Sequence, residues 1–187
     1  MVDATDAGLI GCRDRAVLLL GFAGAFRRSE IVGLDSADCI FSKNGLTVTL
    51  GRSKTDQEGT GRKIGIPHGS NPDSCPVRVL QSWIEQSNHY GRAGIPVAES
   101  PRAGSAVPTI RNRRGAHYEE ASRTAGLDPS RYAGHSLRAG HATVATIAGA
   151  SERSIMNQTG HRTVQMVRRY IRDANLFREN SAAKLGL

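Results

Sequence analysis

The unbroken apolar run AVLLLGFAGAF at residues 16–26 constrains the fold more than any other segment. A helix needs about 20 apolar residues to cross a bilayer, so this run is too short to do so. It also lacks the basic start of a secretion signal. A helix that is apolar on all sides has to be buried in protein. We therefore expect CRDRAVLLLGFAGA (12–25) to form a core helix of a globular domain away from any membrane.

The chain length restricts the number of domains, and the charge balance restricts the class of binding partner. With 187 residues the chain can bury one sizeable core, so we expect a single domain over 1–187 with a C-terminal tail at 172–187. The 25 Lys and Arg residues exceed the 17 Asp and Glu residues and give a net charge of +8. This excess favours a polyanionic partner, most commonly nucleic acid.

The cysteine spacing argues against a metal site and a disulfide framework. Cys12, Cys39 and Cys75 are far apart along the chain, and no pair has the spacing of zinc ligands or of a redox motif. An odd number of cysteines also does not suggest a set of disulfides. We expect reduced thiols, no metal and a cytoplasmic location.

The segment RRSEIVGL (27–34) predicts a short helix after the core helix. Ser29 is a favoured N-cap residue type, and Glu30 would lie in the first turn. Gly33 is expected to end this helix.

After residue 37 the apolar pattern changes from helical to alternating. DCIF (38–41), the dipeptide Asn44-Gly45 and LTVTL (46–50) predict a β-hairpin. The polar connection SKTDQEGTG (53–61) then leads to RKIGIP (62–67), which predicts a third strand. The first half of the chain should therefore contain a small three-stranded antiparallel sheet.

The middle of the chain contains one clear helix and one segment without a pattern. Ser74 and Pro76 open CPVRVLQSWIEQ (75–86), whose apolar residues have helical spacing. These residues are Val77, Leu80, Trp83 and Ile84. Residues 88–115 predict a long irregular loop, and AHYEEASRTAG (116–126) predicts a helix that ends at Gly126.

The last third of the chain predicts three more helices, which makes the whole a mainly helical α+β protein. Ser136 is expected to cap the first, Ser151 the second (152–159, ended by Gly160) and Thr163 the third (164–172). We expect the first of these helices to bury a stripe made of Leu137, Val144, Ile147 and Ala148.

Two cationic side chains start this first helix. His135 and Arg138 are three positions apart, so they project from the same face of a helix. Such a pair is unfavourable unless an anion lies between the two groups. His141 on the same helix is expected to be an ordinary packing or surface residue.

Four sites in a fixed order resemble the catalytic domain of the tyrosine recombinases, the phage integrase family. They are Arg27 in the Arg-x-Ser-Glu box FRRSEI, Lys54 in GRSKT, the His-x-x-Arg box HSLR at 135–138, and GHRTVQMVRRY at 160–170. In that family a His or Trp is followed about nine residues later by a tyrosine, as His161 is by Tyr170. Each box alone has little specificity, but the ordered set is highly specific and covers the chain from about Ala16 onward.

The resemblance implies a role for each of these residues. Tyr170 would attack a DNA phosphodiester, and the arginines Arg27 and Arg138 would bind its two non-bridging oxygens. Lys54 would protonate the leaving 5′-oxygen, His135 would take or donate a proton, and His161 would bind the same phosphate. Glu30 would orient an arginine. The expected DNA-contacting residues are Arg28, Arg52, Arg168 and Arg169.

The predicted activity is therefore site-specific cleavage and rejoining of double-stranded DNA through a 3′-phosphotyrosine, with no cofactor. No N-terminal DNA-clamp domain is expected, and the tail offers Leu176, Phe177 and Leu185 for self-association on DNA. Two alternatives stay open at this point. The same chemistry can serve a type IB topoisomerase, and a chain without a clamp can be a non-catalytic DNA-binding remnant.

Overall fold

The computed structural model describes residues 2, 5, 8–51, 61–92, 123–126, 128, 134–174 and 181–185. Helix α1 (Leu9–Ala23) is the predicted core helix, beginning three residues earlier than expected and ending two residues earlier. Its second half is buried on almost every side, with Ala16, Leu18 and Leu20 at most 2% exposed. The apolar run at 16–26 therefore lies in the main core, as predicted.

The sheet has three antiparallel strands in sequential order, which confirms the prediction. They are β1 (Cys39–Ser42), β2 (Gly45–Leu50) and β3 (Arg62–Pro67). The hairpin turn is Lys43-Asn44, and Gly45 already pairs with Ser42 as the first residue of β2. The inward side chains of β2 and β3 join the core on α1: Leu46, Val48, Leu50, Ile64 and Ile66.

Helix α3 (Pro76–Arg92) packs against α1 and completes the main core. Val77, Leu80 and Trp83 are buried as predicted. The expectation of an irregular segment from residue 88 is wrong for residues 88–92, which continue the helix. Ser87 does not interrupt the helix because its buried hydroxyl donates to the Trp83 carbonyl at 2.6 Å.

The short helix α2 (Arg28–Val32) begins one residue before the predicted cap. Arg27 takes the N-cap position, and Ser29 lies inside the first turn. The reason is that the Glu30 carboxylate, and not a serine hydroxyl, accepts the Arg27 backbone N–H, at 2.7 Å. The predicted end at Gly33 is confirmed.

Three helices form a second, smaller core near the C-terminus. They are α4 (Gly134–Ile147), α5 (Glu152–Thr159) and α6 (Val164–Ala174). Ala142, Ile155 and Val167 contribute one buried side chain from each helix. Ser151 caps α5 by accepting from the Ser154 N–H, and Gly160 ends it with a left-handed φ of +64°, both as predicted.

The predictions for α4 are wrong in two respects. The helix begins at Gly134, so Ser136 lies within its first turn and does not cap it. Of the predicted apolar stripe, Leu137 packs against the main core, whereas Val144 is 51% and Ile147 58% exposed and Ala148 is exposed as well. The buried face instead carries Arg138, Ala142 and Thr146. On this face Ala142 packs against Ile155 and Val167, and the Arg138 guanidinium bonds to the end of α1, as described below.

The remaining predictions concern segments that are described only in part. Of the predicted helix at 116–126, residues 123–126 are described, and Gly126 has the left-handed φ of +70° expected at a helix end. Residues 93–115 lie outside the described residues. The predicted tail does not start at residue 172, since α6 continues through Ala174. In the described part of the chain no helix has the length and apolarity needed to cross a membrane.

Candidate active site

Glu30 accepts two hydrogen bonds from Arg27 in the first turn of α2, one from its backbone and one from its guanidinium. One carboxylate oxygen, Oε2, accepts the backbone N–H of Arg27, and the other, Oε1, accepts from its Nη1, both at 2.7 Å. The Glu30 side chain is only 7% exposed, while that of Arg27 is 37% exposed. Glu30 therefore fixes the backbone and one guanidinium nitrogen of Arg27, while part of the Arg27 side chain still faces solvent. The neighbouring Arg28 is exposed.

Arg62, at the start of β3, is a third member of this cluster that sequence reasoning missed. Its Nη2 donates to Glu30 Oε2 at 3.1 Å, and its Nη1 donates to the Gln158 carbonyl at 3.3 Å. Burial is the main cause that lowers the pKa of Arg62, and the charge of Arg27 adds to it against the opposing effect of Glu30. The sequence contained one signal for this residue. Arg62 directly follows the polar connection that carries Lys54, a predicted site residue.

Arg138 is the most buried cation of the cluster, with 2% of its surface exposed. Its Nη1 donates to the Ala25 carbonyl at 2.8 Å, whereas its buried Nη2 has no hydrogen-bond partner among the described residues. Burial first, and then the charge of Arg27, lower the pKa of Arg138 to about 10. The site therefore holds a guanidinium whose desolvation is only partly compensated.

The carbonyl that binds Arg138 belongs to a residue with an unfavourable backbone conformation. Ala25 has a φ of +49° and is the one non-glycine residue with positive φ in the described part of the chain. The N–H groups of Ala25 and Phe26 bond back to the carbonyls of Phe22 and Gly21, a Schellman ending of α1. Glycine is the usual residue at this position, so Ala25 costs about 1 kcal/mol of backbone strain.

Tyr170 and His161 lie next to each other on the C-terminal helices. Tyr170 is half-buried on α6, packs against the second core and has its ring centroid 6.1 Å from that of His161, with 31° between the planes. The charge of a Tyr170 phenolate would act on Arg138 from this position. His161 follows the end of α5, where its Nδ1 lies 2.8 Å from the Thr159 hydroxyl.

The structure thus brings Arg27, Glu30, Arg138, His161 and Tyr170 into one region, although they come from four separate segments. Arg168 and Arg169 lie on exposed positions of α6, and Arg168 forms an ion pair with Glu152 at 3.3 Å. Lys54 and Arg52 lie outside the described residues. His135 is placed as the second residue of α4, but its side chain is outside the described part.

The buried cluster has more positive than negative charge. Arg27 and Arg62 both lower the pKa of Arg138, and Glu30 is the carboxylate that opposes them. Three guanidiniums therefore share one carboxylate among these residues. Such a site favours an anion with several acceptor oxygens and disfavours a cation. Within the described ranges no group of three or more His, Cys, Asp or Glu side chains is placed so that it could hold a metal ion.

Comparison with protein families and with known proteins supports the fold. The profile of the phage integrase family matches residues 1–176. The chain belongs to this family. An integrase/recombinase XerD homologue of Selenomonas ruminantium is 37% identical over 184 residues, which cover 95% of this chain and 52% of that protein. A tyrosine recombinase XerC of Syntrophus aciditrophicus (strain SB) is 27% identical over 172 residues, 87% of this chain and 49% of that protein.

Solved structures of tyrosine recombinases have the same fold. The XerH site-specific recombinase in a post-cleavage complex with a palindromic difH substrate matches with a TM-score of 0.69 at 17% identity, over 100% of this chain and 50% of that one. The XerA recombinase matches with a TM-score of 0.62 at 16% identity, over 90% and 57%. This phage integrase family chain thus spans about half the length of the relatives it matches.

Proposed function

We propose that the chain cleaves one strand of double-stranded DNA at a specific site and rejoins it to another 5′-hydroxyl. The observation that carries this proposal is the buried Arg138, whose Nη2 has no hydrogen-bond partner among the described residues. A phosphodiester supplies both the negative charge and the acceptor oxygens for such a group. The Arg27 guanidinium, held by Glu30, would bind the second non-bridging oxygen.

In the proposed reaction Tyr170 is the nucleophile. Its phenol loses a proton, the phenolate oxygen forms a bond to phosphorus, and the bond from phosphorus to the 5′-oxygen breaks. A free phenol has a pKa of about 10, so the surrounding guanidiniums would have to favour the phenolate and the charged transition state. Attack by a 5′-hydroxyl on the phosphotyrosine reverses the step and restores Tyr170.

The remaining roles come from the family resemblance. Lys54 would give the 5′-oxygen its proton, His135 would take or donate a proton, and His161 would bind the scissile phosphate. The phosphotyrosine bond keeps the energy of the cleaved DNA bond, so no nucleotide cofactor is required. The reaction should also proceed without a metal, and cleavage should be unchanged by a chelator. Loss of cleavage in EDTA would contradict this part of the proposal.

Double-stranded DNA is the proposed partner, in line with the net charge of +8. The exposed arginines Arg28, Arg168 and Arg169 would contact its backbone, as would Arg52. Such contacts position the enzyme without reading the sequence, and they make the affinity strongly dependent on salt. The names of two similar proteins support this partner: the XerD homologue is called an integrase/recombinase, and XerH was solved with a difH substrate.

Self-association on DNA through the C-terminal tail is a further part of the proposal. Leu185 is 68% exposed, and Leu176 and Phe177 are two further large apolar residues of the tail. An apolar cavity of about 460 Å³ between α1, β3, α4 and α5 is a suitable receptor for such side chains on a second copy. Leu185→Asp should reduce the number of copies that assemble on one DNA molecule in sedimentation experiments, and an unchanged assembly would contradict the proposal.

The state of the three cysteine thiols is the basis on which a cytoplasmic location is proposed. Cys12, Cys39 and Cys75 are all unbridged, which fits a reducing compartment.

A suicide substrate tests the central proposal. A duplex with a nick close to the cleavage site loses the 5′-hydroxyl fragment after cleavage and traps the covalent intermediate. The chain should form a protein–DNA adduct that survives denaturant, and Tyr170→Phe should form none. Tyr90→Phe is the matched control and should retain the adduct.

The same assay separates the alternatives. If the unmodified chain forms no adduct with any of the nicked duplexes tested, the result would favour the non-catalytic DNA-binding remnant. An adduct that forms equally on unrelated DNA sequences would favour a type IB topoisomerase activity. An adduct that depends on the DNA sequence and on Tyr170 supports the recombinase.

A further inference from the structure

The hydroxyl of Thr159 lies between a backbone carbonyl and the imidazole of His161. Thr159 is the last residue of α5 and is 0% exposed. Its Oγ1 is 2.7 Å from the Ile155 carbonyl oxygen and 2.8 Å from His161 Nδ1. The Met156 carbonyl is a third, longer contact at 3.4 Å. Each of the two short contacts requires a hydrogen atom between the two heavy atoms.

The number of available hydrogens decides which group donates. A threonine hydroxyl has one hydrogen, and a carbonyl oxygen can only accept. Within a helix this hydrogen ordinarily goes to the carbonyl four residues earlier, which here is Ile155. If it pointed to His161 instead, two oxygen lone pairs would face each other at 2.7 Å. Both short contacts are satisfied only when His161 Nδ1 carries a hydrogen and donates it to Thr159.

We propose that Thr159 is a positioning residue that holds the neutral imidazole of His161 as the Nδ1–H tautomer. The other ring nitrogen, Nε2, then has a lone pair and accepts a hydrogen bond when His161 is neutral. The described residues in contact with this ring include Thr159 from α5 and the Tyr170 phenol from α6. The hydroxyl of Thr159 accepts equally well from the imidazolium form, in which both nitrogens carry a hydrogen.

This assignment specifies the phosphate contact, and to that extent it rests on the proposed function. The non-bridging oxygens of a phosphodiester have no hydrogen and only accept. A neutral His161 in the Nδ1–H form has no donor left for them at Nε2. His161 therefore binds the scissile phosphate only as the imidazolium, adding a positive charge to those of Arg27 and Arg138.

The experiment is nitrogen NMR of the histidine rings in the full chain without DNA. The chain is labelled with ¹⁵N-histidine and studied at about pH 8.5, where an ordinary imidazole is neutral. The signals of His161 are identified by their loss in His161→Asn. We expect the chemical shift of Nδ1 to be that of a nitrogen that carries hydrogen, and the shift of Nε2 to be that of one with a lone pair.

Two substitutions of Thr159 provide the matched comparison. Thr159→Val keeps the shape of the side chain and removes the acceptor, so the Nε2 signal should move toward that of a nitrogen with hydrogen. Thr159→Ser keeps the hydroxyl and should retain the signals of the unmodified chain. A hydrogen on Nε2 in the unmodified chain, or identical spectra for the unmodified chain and Thr159→Val, would overturn the proposal. Because DNA is absent, this result does not depend on whether the chain cleaves DNA.

Discussion

The guanidinium of Arg62 lies against the backbone of Gly160, in the space that a Cβ of any other residue at position 160 would occupy. Arg62 is fixed there by its bonds to Glu30 and to the Gln158 carbonyl. Gly160 has the left-handed φ of +64° that ends α5 just before His161. A contact between β3 and this turn therefore joins the Arg27–Glu30 side of the site to the His161–Tyr170 side.

Gly160→Ala should destabilise the fold more than Gly126→Ala. Both glycines have a left-handed φ, which costs about 1–2 kcal/mol for alanine. A Cβ at Gly126 meets no atom of the described residues within 4 Å, whereas a Cβ at Gly160 overlaps the Arg62 guanidinium. Arg62 would have to give up at least one hydrogen bond, which adds about 1 kcal/mol or more. Urea unfolding of the two variants measures the difference.

The extra destabilisation by Gly160→Ala, compared with Gly126→Ala, should depend on Arg62. In an Arg62→Ala background the overlap is gone, so Gly160→Ala and Gly126→Ala should then cost similar amounts. An excess that persists without Arg62 would show that the contact does not constrain position 160.

Ala25→Gly should change the free energy of unfolding by less than about 0.5 kcal/mol, because the relief of backbone strain is offset by the loss of a methyl group that is 0% exposed. The substitution relieves the strain of alanine at a φ of +49° and loses part of this gain to the greater freedom of glycine in the unfolded chain. The carbonyl that binds Arg138 is kept. Ala139→Gly inside α4 is the control and should destabilise by about 0.5–1 kcal/mol. If Ala25→Gly and Ala139→Gly lowered the free energy of unfolding in urea by the same amount, this would contradict backbone strain at Ala25.

Arg138→Gln should separate activity from stability. Cleavage of the suicide substrate should fall by about a hundredfold or more, because one donor to the developing charge is lost. The free energy of unfolding should fall by less than about 1 kcal/mol or should rise. The buried guanidinium, with its pKa lowered to about 10 by burial first, is held at a cost when no anion is bound.

The control for Arg138→Gln is Arg78→Gln on the exposed face of α3. It should change neither the cleavage of the suicide substrate nor the free energy of unfolding. A loss of 3 kcal/mol or more on Arg138→Gln would identify Arg138 as a cation required for folding instead of for binding an anion.

The stability of the chain should decrease at mildly acidic pH because of His141. Burial is the main cause that lowers the pKa of His141, and the charge of Arg138 acts in the same direction. The unfolded chain therefore binds this proton more readily than the folded chain does. The free energy of unfolding should fall as the pH drops below about 6.5, the ordinary pKa of histidine.

His141→Gln should make this dependence on pH flatter between about pH 5 and 7.5, as measured by urea unfolding. His68→Gln, at an exposed position, is the control and should leave the slope unchanged. An equal slope in the unmodified chain and in His141→Gln would exclude His141 as the cause.

Local patterns were sufficient for the elements and for the order of the candidate site residues. The buried α1, the three strands and the start of α5 follow from apolar periodicity and from turn and cap residues, which act over a few positions. Predictions failed where a short-range rule favoured one residue and the contacts of another side chain decided the outcome. Ser29 is a good cap residue, yet the Glu30 carboxylate took that role. The apolar stripe of α4 was chosen by hydropathy, yet Arg138 is on the buried face.

The sequence by itself therefore determined the fold class, the family and the set of residues from which the candidate site is drawn. Only the tertiary structure decided how these residues are held: Arg138 bonds to a carbonyl 113 positions away, and Arg62 bonds to one 96 positions away. The physical reason is that burial and hydrogen bonding of a charged side chain depend on which distant backbone groups face it. No spacing along the chain contains that information.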